Sequence, residues 1–264
     1  MGAWYIKWAW VARSGASIDK VTRSGFELFQ QYLARGQGVL QRARALNPRQ
    51  ITTVALLLTV LRGRQAPEHV LVQLWEQGQQ SCDGPLLVKL WNTRLQSVAS
   101  KWGGSHEQMF ALARHAVKIA PPGHPLIGLI IEAHAEIPLY YDMESDELKL
   151  SKSEVNHLRA VYFHKPEVRN EILAAYEKWS QKDSVQYDEM EVQVARSLFA
   201  LALWWIWRLP KELGGQNSEH LKVVRQLVRS IWLKPEQLSY CYCWIPNVAS
   251  RPAAFKQLCH EVGC

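Results

Sequence analysis

Helix-stopping residues recur along the first half of this chain at an almost constant interval. Asn47-Pro48, Asp83-Gly84 and Pro121-Pro122 stand 36 and then about 37 residues apart. Each stop follows a helix that ends in a similar way, at Ala43–Leu46, Gln79–Cys82 and Ala116–Ile119. Each interval holds two helical segments with a short break between them. A helical pair of this length cannot bury its own apolar faces, so its neighbours must stack on it. The chain is therefore expected to be all-α, built from stacked helical pairs.

The apolar spacing supports this reading. Val21 to Leu46 places Phe26, Phe29, Leu33, Val39, Leu40, Ala43 and Leu46 at i+3 and i+4 steps, with Thr22 as N-cap and Asn47-Pro48 as stop. Ile51 to Leu61 follows. Pro67 opens Glu68–Gln80, and Pro85 opens a helix to Ala99. Ser105-His106-Glu107-Gln108 has the form of a capping box before Met109–Ala120. Pro125 to Tyr140 is the next helix, disturbed at Pro138. No stretch sustains period-two alternation, so little or no sheet is expected. A two-helix unit repeating near 34 residues is the mark of tetratricopeptide-type solenoids. Residues 1–140 thus read as tetratricopeptide-like helical repeats. Residues 141–264 read as a C-terminal helical region packed on them in one continuous core. That region holds a helix around Val155, Leu158 and Val161 capped by Ser151 or Ser153. Further helices run from Lys165-Pro166 to Trp179, from Tyr187 to Trp207 and from Ser218, as N-cap, to Trp232, and a short one starts at Lys234-Pro235. The twelve tryptophans fit dense packing between helices; Trp75, Trp91 and Trp102 sit where large side chains fill inter-helix holes.

Charge matters through its distribution. The formal net charge is +7, yet residues 1–64 hold ten Lys/Arg against Asp19 and Glu27, while residues 141–191 hold twelve acids against seven basic residues. A basic first part draws nucleic acid or an acidic protein, and an acidic middle draws a basic partner. The first sixteen residues, interrupted by Lys7 and Arg13, do not read as a secretory signal. The longest apolar run, Leu198–Trp207, spans only about half a bilayer core as a helix. Five cysteines, an odd and irregularly spaced set, fit a reducing cytoplasm.

Motifs for chemistry are weak. Lys101-Trp102-Gly103-Gly104-Ser105 leads into a helix N-terminus, where free amides can hold an anion, but it is no P-loop. A tight connection packed by Trp102 and capped by Ser105 explains it. Glu132 and Glu136 lie four apart on one helical face and can form an acid–base or metal pair, the basis of a metal-dependent enzyme. A solvated or groove-lining acidic pair is the plainer reading, with His134 pointing elsewhere. Cys241-x-Cys243, Cys259-His260 and Cys264 fit no common zinc finger and read as reduced thiols. Asp142, Glu144, Asp146 and Glu147 lack the glycine and terminal glutamate of a calcium loop. No nucleophile motif is present. The chain is expected to have no catalytic residues, metal or cofactor.

Two blocks carry a family resemblance. Ala9-Trp10-Val11-Ala12-Arg13-Ser14-Gly15 precedes a helix ending Ala43-x-x-Leu46-Asn47-Pro48, and Lys101-Trp102-Gly103-Gly104-Ser105 is followed by Met109-Phe110-Ala111-Leu112-Ala113. Together they resemble an uncharacterised bacterial family of tetratricopeptide-like proteins of unknown function, over roughly residues 3–165. The K-W-G-G-S block is the most specific part. Some members of that family look like immunity partners of secreted bacterial toxins. The resemblance implies a binding scaffold without assigned catalysis.

The expectation is therefore a cytoplasmic, non-enzymatic protein-binding scaffold, an immunity protein that neutralises a cognate toxin of a bacterial secretion system. Its partner-facing residues are expected to be Glu132, Glu136, Tyr140, Tyr141, Asp142, Glu144, Asp146 and Glu147. The alternative is an RNA-binding helical-repeat protein using the basic N-terminal helices, with Arg35, Arg42 and Arg49 as its contacts.

Overall fold

A computed structural model describes residues 1–14, 20–81, 87–181, 187–208, 216–234, 238 and 250–264. Among these residues the chain is all-α, with twelve α-helices and no strand. It divides into two compact units, Met1–Met109 and Phe110–Cys264. The change in character that the sequence marks at 140/141 falls inside the second unit.

Unit 1 opens with α1 (Gly2–Arg13), which runs antiparallel to α2 (Arg23–Leu46). Thr22 caps α2 by accepting from the Gly25 amide, and the chain leaves the helix at Asn47, ahead of Pro48. Helices α3 (Ile51–Gly63), α4 (Glu68–Ser81) and α5 (Val88–Val98) follow at the expected positions. The Asp83-Gly84 stop and Pro85 lie outside the described residues. Helix α3 packs on α2, α4 and α5, and α4 packs on α5. Phe29, Leu33 and Leu40 of α2 meet Val54, Leu57, Leu58 and Val60 of α3 in a core that extends to Leu71, Leu74 and Leu90. Trp91 is wholly buried and lies edge-on to Trp75. Trp4 and Trp8 depart from the packing role expected of the tryptophans: they stand out from α1, exposed by 67% and 44%.

The K-W-G-G-S block is the tight connection that its residues predict. Ser100–Trp102 form one 3-10 turn, and Gly103 follows with φ of 89°. A Cβ on Gly104 would lie 2.0 Å from the Val98 carbonyl oxygen, so no other residue fits there. Trp102 stacks edge-on to Trp10, and the Arg62 guanidinium lies 4.9 Å above its ring centre. Ser105 accepts from the Gln108 amide and opens α6 (His106–Ile119).

Unit 2 takes up the rest of α6. His124 caps a 3-10 turn over Pro125–Gly128, which runs directly into α7 (Leu129–Met143). Pro138 sits inside α7, which continues through it for five further residues. Helix α8 (Lys152–Tyr162) begins with a full capping box between Ser151 and Glu154. Helices α9 (Pro166–Ser180) and α10 (Glu189–Trp207) follow. The apolar α10 forms the centre of the unit and packs against α7, α9, α11 (Ser218–Arg229) and the Pro125–Gly128 turn. Phe199, Leu201, Leu203, Trp204 and Ile206 are essentially inaccessible. Each contributes roughly 1.5–3 kcal/mol by leaving water, which is why this run is a core helix. Asn217, not Ser218, caps α11, because its side chain reaches the Glu219 amide, and the helix ends at Arg229 rather than Trp232. Helix α12 (Arg251–Val262), which the sequence pattern did not single out, packs on α11. The expected short helix at Lys234-Pro235 falls largely outside the described residues.

Candidate partner-binding surfaces

The acidic segment begins in the last turn of α7. Asp142, Asp146 and Glu147 are exposed, and Glu144 and the edge-to-face pair Tyr140–Tyr141 are half-buried. The backbone satisfies itself here. Leu148 donates to Glu144 at 2.8 Å, Leu150 donates to Ser145 at 2.9 Å, and the Ser145 hydroxyl reaches the Asp142 carbonyl at 3.1 Å. The segment is thus a folded acidic knuckle between α7 and α8. Arg159 lies 3.5 Å from the Asp142 carboxylate. Burial first, and then the neighbouring Glu147, raise the Glu144 carboxyl above its usual range.

Glu132 and Glu136 correct the sequence reading. They are only 3% and 4% exposed, inside the stretch of α7 that is buried on all sides from Leu129 to Pro138. Their i,i+4 spacing does put them on one helical face, but that face is turned inward. They therefore do not extend the acidic surface of residues 142–147.

His134, which the sequence gave no role, sits at the centre of a polar chain joining four helices. Its Nε2 lies 3.1 Å from Glu171 Oε2 and its Nδ1 lies 2.8 Å from the Tyr162 hydroxyl. An ionised carboxylate only accepts, so Nε2–H donates to Glu171, and in the neutral ring Nδ1 accepts from Tyr162. Arg114 closes the chain with two bonds to Glu171, at 2.7 and 3.1 Å, and its guanidinium covers Phe110. Donation from His134 and Arg114 pulls the Glu171 carboxyl down to about 2, while burial pushes the Tyr162 phenol up. The order hydroxyl–imidazole–carboxylate has the polarity of a general-base relay. The hydroxyl, however, belongs to a tyrosine that is 6% exposed and held in its neutral form. The chain orders α6, α7, α8 and α9 against one another. Its members lie up to 57 residues apart in sequence, so only the polar character of His134 on an apolar helix hinted at it.

Arg35 and Arg42 are exposed along α2, and Arg49 is exposed just beyond it. No group of three or more His, Cys, Asp or Glu among the described residues could hold a metal ion. Cys259 and Cys264 are free thiols, whereas Cys241 and Cys243 lie outside the described residues. No helix among the described residues is long and apolar enough to cross a membrane.

No family model, no curated protein and no solved structure matches this chain.

Proposed function

We propose that the chain is a non-enzymatic protein-binding scaffold, acting in the cytoplasm as an immunity protein against a cognate secreted toxin. On this reading, α3–α4 and α5–α6, the helical pairs between successive stops, are successive units of a tetratricopeptide-like repeat. Their near-constant spacing and the stacking of α3 against α2, α4 and α5 support it. The observation that carries the partner-binding claim is the acidic knuckle, with three exposed carboxylates and a fourth, Glu144, raised by burial and by the neighbouring Glu147. A basic cleft on a toxin would complement these carboxylates, and electrostatic steering would speed the encounter. Co-expression of this chain with the toxin-like product of a neighbouring gene tests the idea. Growth should be rescued, and the combined change Asp142→Lys, Glu144→Lys and Asp146→Lys should abolish rescue and weaken binding at least tenfold. Unchanged affinity in that variant removes the knuckle from the interface.

A second reading, RNA binding, is favoured by the exposure of Arg35, Arg42 and Arg49. Affinity for a single-stranded RNA would then fall steeply with salt as phosphate contacts release counterions. Absence of any RNA complex at low salt rejects it.

A further inference from the structure

Two glutamine pairs stand one repeat interval apart. Gln37 and Gln41 on α2 recur thirty-six residues later as Gln73 and Gln77 on α4, the same interval that separates Asn47 from Asp83. Within each pair the i,i+4 spacing sets both amides on one helical face. All four line a single groove of about 520 Å³ in unit 1. Leu57 and Leu61 of α3, with Val70 and Leu74 of α4, supply its apolar surface. Arg44 bridges the two walls, its Nη2 donating to Gln77 Oε1 at 2.8 Å.

We infer that this groove binds an extended peptide segment that carries aliphatic side chains and neighbouring acidic residues. A glutamine amide carries two N–H donors and an oxygen with two lone pairs, and Gln77 Oε1 already accepts from Arg44. Pairs of amides on opposite walls match the main-chain N–H and C=O groups that an extended peptide leaves open along its two edges. The leucines and valine accept aliphatic side chains. The charge requirement comes from the surroundings. Among the described residues no acid lines the groove, whereas Arg44 does. Unit 1 holds thirteen Lys/Arg and six acids, and unit 2 holds eighteen of each, so the whole net charge of +7 belongs to the unit that carries the groove. An anionic occupant is selected on that ground. Peptide is favoured over RNA because single-stranded nucleic acid is held largely by base stacking on aromatic rings, and no aromatic residue among the described ones lines this groove.

The inference rests on the reading of the chain as a protein-binding scaffold, but not on toxin neutralisation or the acidic knuckle. The test pans random dodecapeptides displayed on phage against the full chain and measures each enriched peptide, labelled with fluorescein, by anisotropy. Enriched sequences should pair aliphatic residues with Asp or Glu. Gln41→Ala with Gln77→Ala should weaken binding at least tenfold, and Gln41→Glu with Gln77→Glu should weaken it further, both with unchanged helical content. Arg44→Glu should select against the acidic peptides. The knuckle variant described above should keep full peptide affinity, so that failure of the groove and failure of the knuckle are told apart. Lack of enrichment, enrichment of basic or aromatic sequences, affinity indifferent to the glutamine changes, or displacement of the peptide by decauridylate overturns the proposal.

Discussion

Glu171 Oε2 lies 3.1 Å from His134 Nε2, joining α9 to the most deeply buried stretch of α7. With Arg114 holding the same carboxylate from α6, the pair fixes the mutual placement of three helices. The native carboxyl sits at about 2, below its ordinary 4.5, first because of the His134 hydrogen bond. The unfolded state therefore binds more protons between these values. The stabilisation is complete above about pH 4.5 and is lost as pH falls towards about 2. Thermal melts of the wild-type chain should show this acid-dependent loss. Glu171→Gln should melt lower at neutral pH and have a shallower slope across that window. Equal slopes would mean that Glu171 carries no such linkage.

His124 gives a second, separate window. Its Nδ1 accepts from the Leu126 amide at 3.0 Å, and burial lowers its pKa from 6.5 to about 4. Protonation removes the acceptor that starts the Pro125–Gly128 turn. A histidine with a lowered native value is bound neutral, so stability is full above about pH 6.5 and declines as pH falls towards about 4. His124→Asn keeps a capping acceptor that does not titrate. Its melting temperature should fall less steeply than that of the wild type between those pH values, as scanning calorimetry can determine, the remaining slope coming from His164 and His220, whose values are also lowered.

The adjacent glycines of the K-W-G-G-S block should respond differently to alanine. Gly104 has backbone in the way, since its Cβ position lies 2.0 Å from the Val98 oxygen. Gly104→Ala should cost about 3 kcal/mol or more, because main chain must move. Gly103 faces open space at φ of 89°, so Gly103→Ala should cost only about 1–2 kcal/mol, from the left-handed backbone. Urea melts that rank the two the other way would contradict the geometry.

Arg62 anchors this block to α3. Its guanidinium covers the Trp102 ring, and its Nη1 donates to the Thr93 carbonyl at 3.4 Å. Arg62→Ala should destabilise the chain by about 1 kcal/mol through the lost ring contact. Arg62→Ala combined with Trp102→Leu should cost less than the sum of the two single changes. Strict additivity in a double-mutant cycle would deny the coupling.

Most of the helical order was legible in the residues because its signals are local. Thr22 caps α2 with its own side chain, Ser151 and Glu154 close a capping box within one turn, and Ser105 opens α6. Where local signals compete, the pattern misled. Asn217 outcompeted Ser218 as a cap because its longer side chain reaches the Glu219 amide from one residue earlier. Pro138 was expected to disturb α7, yet the helix runs through it with buried residues on every side. The tertiary surroundings there outweigh the backbone hydrogen bond that proline forfeits.

By itself the sequence determined the all-α class, the positions of most helix ends and the concentration of positive charge in the first part of the chain. Periodicity, capping and charge counts need no partner from elsewhere in the chain. Only the tertiary structure decided which polar residues face water. The i,i+4 spacing of Glu132 and Glu136 is the same whether α7 is a surface helix or a buried one, and packing turned both inward. The same packing brought Arg114, His134, Tyr162 and Glu171 together from four helices and gathered Gln37, Gln41, Gln73 and Gln77 around one groove. Burial and long-range proximity are properties of the assembled helices, and a linear pattern records neither.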